Sequence, residues 1–376
     1  MVLTVVAALA VGVWLYLLLF RGRYWQEFSE SHSPAPAGRT SSIVAVIPAR
    51  NEAESIARAV ASLVPQVTHT IVVDDGSGDD TAAVARRSAT PEKLTVLTGD
   101  PLPAGWTGKL WAVHQGVRHA LGLAPEYLLL TDADIEHAPE TAAALAARAE
   151  SGNYDLVSYM ATLHCATAAE RALVPAFVYF FLALYPPRWI RNPRRRTAGA
   201  AGGCILIRRE ALERIGGIAA IREQLIDDCA LARAVKRSGG GIWLGLSRET
   251  RSLRTYSSFR EIERMIARTA FTQLRYSNWL LAATLAGLAV TYLLGPVLVI
   301  AAPYPAAIMG AAAWLLMSVS YLPAVRFYGG SPLWAAALPA IATFYAWATL
   351  HSAILYWRGA GGQWKDRVQG SRRSNS

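Results

Sequence analysis

One hydrophilic block, residues 41–276, lies between an uncharged apolar run at the N-terminus and three long apolar runs near the C-terminus. A chain of this plan folds as a water-exposed module held against a bilayer. Residues 2–20 (VLTVVAALAVGVWLYLLLF) carry no charge, and about 20 apolar residues suffice to cross a hydrocarbon core. A cleaved signal peptide is the rival reading, but no basic region precedes the run and no clear small-residue cleavage site follows it closely. An uncleaved anchor is therefore expected, with Arg21 and Arg23 favouring a cytoplasmic position for its far end. Further spans are expected near 280–300, 306–325 and 333–357. One span before the module and three after it put the tail across the membrane, whereas Arg358, Lys365, Arg367, Arg372 and Arg373 favour the module's side. The sequence leaves the side of the tail open.

Within the block, short apolar runs alternate with helical patterns. IVAVI (43–47) reads as a strand buried on both faces, followed by a helix over SIARAVASL that Asn51 and Glu54 would cap. TIVVD (70–74) is a second strand, and Ser77 with Asp80 would cap the helix after it. LTVL (94–97), YLLLT (127–131) and LVSYM (156–160) are further strands, and Lys109–Leu121 reads as a helix. This βα order with short turns predicts an open α/β sheet. Residues 171–189 are apolar but contain Pro175 and end in Pro186-Pro187, too broken for a span; a membrane-facing or acceptor-side helix is expected, with an ordinary core helix as the alternative. A strand within 198–210, a helix over Asp227–Arg237 and a late strand GIWLGL complete the block. Residues 258–279 place Phe259, Ile262, Ile266, Ala270 and Leu274 at near-helical spacing among arginines, as an amphipathic helix lying along the interface would. The expected layout is an anchor (1–21), a linker (22–42), a catalytic module (43–257), the interfacial helix (258–279), three spans (280–357) and a basic tail (358–376).

The formal charge of +10 does not point to nucleic acid. The basic residues form no stripe with interleaved aromatics; they cluster near apolar stretches, at Arg21 and Arg23, Arg188–Arg196 and Arg248–Arg275, as an anionic membrane surface favours. Cys165, Cys204 and Cys229 are isolated and lack metal-type spacing. No G-x-G-x-x-G or Walker A sequence occurs. His114, His137 and His164 are scattered and form no metal set.

What remains is a series of carboxylates at loop positions: Asn51-Glu52 after the first strand, VVDDGS (72–77), TDADI (131–135) and IDDCAL (226–231). Asp132 and Asp134 flank one alanine, so in an extended or tight-turn segment both can face one cation. Hard oxygen donors suit Mg²⁺ or Mn²⁺, ions that keep open positions for phosphate oxygens. Capping of a turn is the alternative role for such a pair. Lys109 can contact a diphosphate or stand solvated at a helix start. Thr197–Gly203, rich in small residues, can floor a sugar site or form a packed turn.

Together these segments resemble the family 2 glycosyltransferases, inverting enzymes of the GT-A fold, over roughly residues 41–276. The family's opening V-I-P-x-x-N-E is Val46-Ile47-Pro48-Ala49-Arg50-Asn51-Glu52, and its V-D-D-G-S is Val73–Ser77. The resemblance implies that Pro48, Ala49, Asn51 and Glu52 surround the base and ribose and that Asp75 contacts uracil or ribose. It gives Asp134 to the metal and Asp132 to the ribose or metal shell. Lys109 and Arg275 are expected at the diphosphate. Asp228 aligns with the catalytic base, with Asp227 standing where the family has Glu. The family's Q-x-x-R-W is reduced to Arg275-Tyr276, with Gln273 two residues before the arginine instead of three. That erosion favours transfer of a single sugar over processive polysaccharide synthesis.

The four-segment plan and the loop GWTGKLWAVHQG (105–116) are similar to the hopene-associated glycosyltransferases of hopanoid-producing bacteria. The resemblance implies a UDP-linked donor, a membrane lipid acceptor and a multi-pass protein of the bacterial inner membrane with its module in the cytoplasm. A non-catalytic membrane assembly protein retaining the fold is the reading from a different class.

Overall fold

The computed structural model describes residues 1–29 and 41–360, together with the backbone of a strand pair, Gln363–Trp364 and Arg367–Val368. Residues 30–40 of the expected linker and most of the expected basic tail lie outside the described residues.

Eight strands form one sheet: β1 (Ile43–Ala49), β2 (His69–Asp74), β3 (Leu94–Thr98), β4 (Tyr127–Leu130), β5 (Ile135–His137), β6 (Leu156–Thr162), β7 (Ile205–Arg208) and β8 (Ile242–Ser252), in the order β3-β2-β1-β4-β7-β6-β8-β5. The first four strands run parallel. β7 then opposes both β4 and β6, and β5 opposes β8. The architecture is thus α/β, but with a mixed sheet. All seven residues of β1 are buried, which is why its sequence does not alternate.

The Gly108–Leu121 helix lies directly on β1 and β2. A Cβ at Gly116 would come within 2.5 Å of Val46 Cγ1 and 3.0 Å of Val73 Cγ2, so only glycine allows this approach. The contact fixes the height of Lys109, two turns earlier on the same helix.

Two expected caps are absent. Asn51 adopts φ 52° and bonds across to the loop after β2, and the next helix starts only at Ile56, without a side-chain cap. Ser77 bonds Asp74, while Asp79 accepts from the Thr81 N–H at the start of Thr81–Arg87. At Asn51 a long-range loop–loop contact takes the side chain that a local cap would have used, while Ser77 is held by Asp74 three residues before it and by the Asn51 N–H.

Among the described residues, five helices are long and apolar enough to cross a membrane: Val2–Leu19, Ala168–Arg191, Asn278–Ala301, Ala306–Phe327 and Leu338–Trp357. The second leaves the sheet after β6 and returns to it at β7, and those two strands pair, Leu156 with Ile207. Were it a span, residues 192–204, including Arg194, Arg195 and Arg196, would have to recross the hydrocarbon without regular structure. This helix therefore stays on the module's side.

It also joins the module to the other helices. The Tyr24, Tyr179 and Ser320 hydroxyls form a buried chain (2.8 and 2.7 Å), and the Tyr345 hydroxyl donates to the Leu173 carbonyl (2.9 Å). One apolar cluster runs from Val46 and Val73 under the sheet to Met317 and Tyr345. Residues 258–279 comprise helices Phe259–Ala267 and Ala270–Gln273 and the start of the next helix at Asn278. Ile262 and Ile266 are buried, and Glu263 bonds His351 of the last long helix.

Candidate active site

The carboxyl ends of β1, β2 and β4 meet at one edge of the sheet, where a parallel α/β sheet collects its ligands. β1 delivers Pro48 and Ala49. Ala49 is fully buried, and its carbonyl accepts the Asp75 N–H at 2.9 Å. Asn51 and Glu52 follow in a loop tied to the next one: the Asn51 N–H donates to Ser77 Oγ (3.0 Å), the Gly78 N–H to Asn51 Oδ1 (2.8 Å), and the Glu52 N–H to Thr81 Oγ1 (2.8 Å). Asp75 is buried. The Arg50 guanidinium lies 3.7 Å from its carboxylate and donates to the Asp75 and Gly76 carbonyls. Arg50 thus braces this loop from the β1 side.

β4 ends at Leu130. Thr131 then bonds the Gly203 carbonyl and the His137 ring, which turns the chain into Asp132-Ala133-Asp134. His137 is buried, and burial lowers its pKa to about 4, so the ring is a neutral structural partner. Asp134 stands at the start of β5, where its carbonyl accepts the Leu253 N–H (2.7 Å). Burial, then the charges of Asp132 and Glu52, raise the Asp134 pKa to about 6; Arg254 and Lys109 oppose that rise.

Asp227 and Asp228 open the Asp227–Arg237 helix. Asp228 accepts the Cys229 N–H (2.6 Å) and the Gly202 N–H (3.0 Å). Burial and the charge of Asp227 nevertheless lift its pKa to about 6, against Lys109 and the two N–H bonds. The Lys109 ammonium sits between Asp132 Oδ1 (2.8 Å) and Asp227 Oδ2 (3.1 Å). Burial disfavours its charge, but Asp132, Asp227 and Asp228 more than compensate and keep it protonated. Pro48, Lys109, Asp132, Gly202, Asp227 and Asp228 all line one cavity.

The structure therefore brings together Pro48, Lys109, Asp132, Asp134, Asp227 and Asp228, with Glu52 close enough to act on Asp134. Arg275 is different. It is exposed at φ 53° in a turn and does not line the cavity shared by Lys109, Asp132 and Asp228. The side chain that reaches the module from this turn is Gln273, which bonds Tyr185; Tyr185 in turn lies against Gly199 and interacts with Cys229, next to Asp228. Arg254 was hidden within a run of arginines that the sequence alone assigns to a membrane surface. Only the pairing of β8 with β5 carries it to Asp134.

Among the described residues, no three His, Cys, Asp or Glu side chains are arranged to hold a metal ion by themselves. The donor chemistry is still favourable. Asp134 is a carboxylate whose charge is disfavoured first by burial and then by Asp132 and Glu52, with Arg254 and Lys109 opposing them. Asp132 and Asp134 fit a hard cation that arrives with oxygen ligands of its own.

This fold and this edge of carboxylates define an α/β module of the GT-A type. Residues 44–216 match the family model Glycosyl transferase family 2. A 4,4'-diaponeurosporenoate glycosyltransferase of Staphylococcus haemolyticus is 32% identical over 121 residues, covering 32% of this chain and 30% of that one. An uncharacterized protein of Methanocaldococcus jannaschii is 32% identical over 117 residues, covering 31% of this chain and 50% of that one. The matched stretch thus spans half or less of either relative. Glucosyl-3-phosphoglycerate synthase of Mycobacterium tuberculosis, solved with phosphoglyceric acid, aligns over 64% of this chain and 81% of its own, with 20% identity and a TM-score of 0.41. The name of the Staphylococcus haemolyticus relative refers to diaponeurosporenoate and not to a hopene.

Proposed function

We propose that this protein transfers one sugar from a nucleoside-diphosphate sugar, UDP-linked, to a hydroxyl of a membrane lipid, with inversion at the anomeric carbon. The observation that carries the reading is Asp228. Its carboxylate is fixed by two backbone N–H groups, lines the same cavity as Asp132 and Lys109, and has a pKa of about 6. At neutral pH such a group is mostly ionised yet basic enough to accept a proton in the transition state.

Asp228 takes the proton from the acceptor hydroxyl as its oxygen attacks the anomeric carbon, and the bond to the diphosphate breaks on the opposite side. Asp132 and Asp134 would hold Mg²⁺ or Mn²⁺, and the ion supplies charge against the departing diphosphate. Asp75, with Asn51 and Glu52 on the cross-bonded loops beside it, would receive base and ribose. Asp227 orients Lys109. Arg275 has no part in this scheme; the Gln273–Tyr185 contact takes its place as the link between the helical layer and the base.

A lipid acceptor is supported by the apolar helices packed on the module and by the carotenoid-related name of a relative. The hopanoid assignment has only the sequence resemblance behind it and is one acceptor class among those to be tested. Arg21 and Arg23 beyond the first span support a module on the cytoplasmic side, and the inner membrane of a bacterium has only the sequence resemblance behind it.

The test is incubation of the purified full-length protein with a panel of nucleotide sugars and total membrane lipid, read by mass spectrometry. A lipid gaining the mass of one hexose is expected. A ladder of sugar masses would favour a processive synthase. No gain with any donor, under conditions where UDP binds, would favour the non-catalytic reading.

A further inference from the structure

Asp132 has two demands on it. It is half of the Asp132–Asp134 pair, and it is also bound at 2.8 Å by the Lys109 ammonium, which bridges to Asp227 at 3.1 Å. The cation position between the β4 carboxylates and the Asp227-Asp228 pair is thus filled by a side chain of the protein itself. An ammonium and a divalent ion on the same carboxylate repel each other and share its lone pairs, so tight occupancy by one weakens the other.

The lysine's backbone is fixed, and its tip is not. The residue lies in the first turn of Gly108–Leu121, where Thr107 caps the helix through the Leu110 N–H and Gly116 locks the helix onto β1 and β2. Four methylenes lead to the ammonium, which is held only by charge and hydrogen bonds to two half-exposed carboxylates. An anion with more charge than either aspartate can draw it off without moving the backbone. A Cβ at Gly202 would stand 3.4 Å from both the ammonium and Asp228 Oδ2. The absence of a side chain there leaves the space beside Lys109 open on that flank.

We infer that Lys109 acts as an internal cation that occupies the Asp132–Asp227 gap in the donor-free protein and keeps a divalent metal from binding until a nucleoside diphosphate draws the ammonium away. The lysine thereby sets the order of binding, with nucleotide and metal arriving together. This rests on the reading of Asp132 and Asp134 as metal ligands, and the experiment separates the two.

Mn²⁺ binding to the full-length protein in detergent is measured by electron paramagnetic resonance, with and without UDP, for the wild type, K109Q and K109R. Without UDP, K109Q should bind Mn²⁺ at least about tenfold more tightly than the wild type, and UDP should add correspondingly less. K109R keeps a cation and should remain weak. Since K109Q leaves two carboxylates facing each other, the double variant K109Q/D227N, which removes one charge of each sign, is measured beside it and should also gain affinity. If the wild type binds Mn²⁺ with UDP but neither glutamine variant gains affinity without it, the role of Lys109 is wrong and the metal reading stands. If no variant binds Mn²⁺ even with UDP, the metal reading fails and the inference falls with it.

Discussion

Asp228→Asn removes the proposed proton acceptor while leaving the side chain nearly the same size. Each carboxylate oxygen of Asp228 accepts one backbone N–H, from Gly202 at 3.0 Å and Cys229 at 2.6 Å. An amide offers a single acceptor oxygen, so one of these donors loses its partner whichever way the amide is turned. An unsatisfied buried donor costs about 1–3 kcal/mol. Against this, burial and Asp227 hold the Asp228 pKa at about 6 instead of the ordinary 3.8. At ~1.4 kcal/mol per pH unit, removing that charge relieves roughly 3 kcal/mol at neutral pH. The two effects nearly offset each other, so folding should change by less than about 2 kcal/mol. Turnover, in contrast, should fall about 10²- to 10⁴-fold, the usual worth of a positioned base.

The pH dependence provides a second readout. In the wild type, kcat/KM should decline as pH falls through about 6, because the base becomes protonated. At saturating donor and metal, where protonation of Asp134 is suppressed, the residual kcat of D228N should lack that limb, and binding of UDP should be close to normal. Steady-state rates across pH 5–8, with UDP binding measured in parallel, decide the matter. Near-wild-type turnover in D228N would show that Asp228 is not the base, whereas an acid limb in kcat/KM alone could also come from Asp134, whose pKa is likewise about 6. D227N is the necessary comparison, since Asp227 adjoins Asp228 and shares Lys109 with Asp132.

Three other outcomes follow from the same structure. Gly116→Ala should destabilise the module by about 1–3 kcal/mol, because its methyl has no room against Val46 and Val73; an unchanged melting temperature would contradict the helix placement. Asp134→Asn should raise thermal stability at pH 7.5 while weakening metal-dependent donor binding. Its folded pKa of about 6 exceeds the ordinary 3.8, so the native state binds the extra proton and the wild type loses stability as pH rises between those values. The advantage of D134N should therefore vanish near pH 4, and a constant advantage at all pH values would refute the argument. Finally, the protein should stay with membranes through an alkaline carbonate wash, since at least four apolar helices lie outside the return constraint that holds residues 168–191 to the sheet; recovery in the soluble fraction would rule out integral insertion.

Elements whose cause is local were legible in the chain. Ile43–Ala49 is apolar throughout because both its faces are covered, and a run of that kind between turn residues marks a buried strand without further help. Asp132 and Asp134, Asp227 and Asp228, and the 2–20 run stand out in the sequence by their spacing or length. Contacts between distant segments left no such trace. Three residues, Ile135–His137, become a strand only because β8 lies alongside, and that pairing brings Arg254 to Asp134. Asn51 has the residue type of a helix cap, yet it bonds the loop after β2, because the parallel pairing of β1 and β2 sets the two loops side by side. Lys109 could equally have been a solvated helix start. Its place between Asp132 and Asp227 depends on a helix seated by Gly116 and on two acidic loops 95 residues apart in sequence, a convergence that packing alone creates.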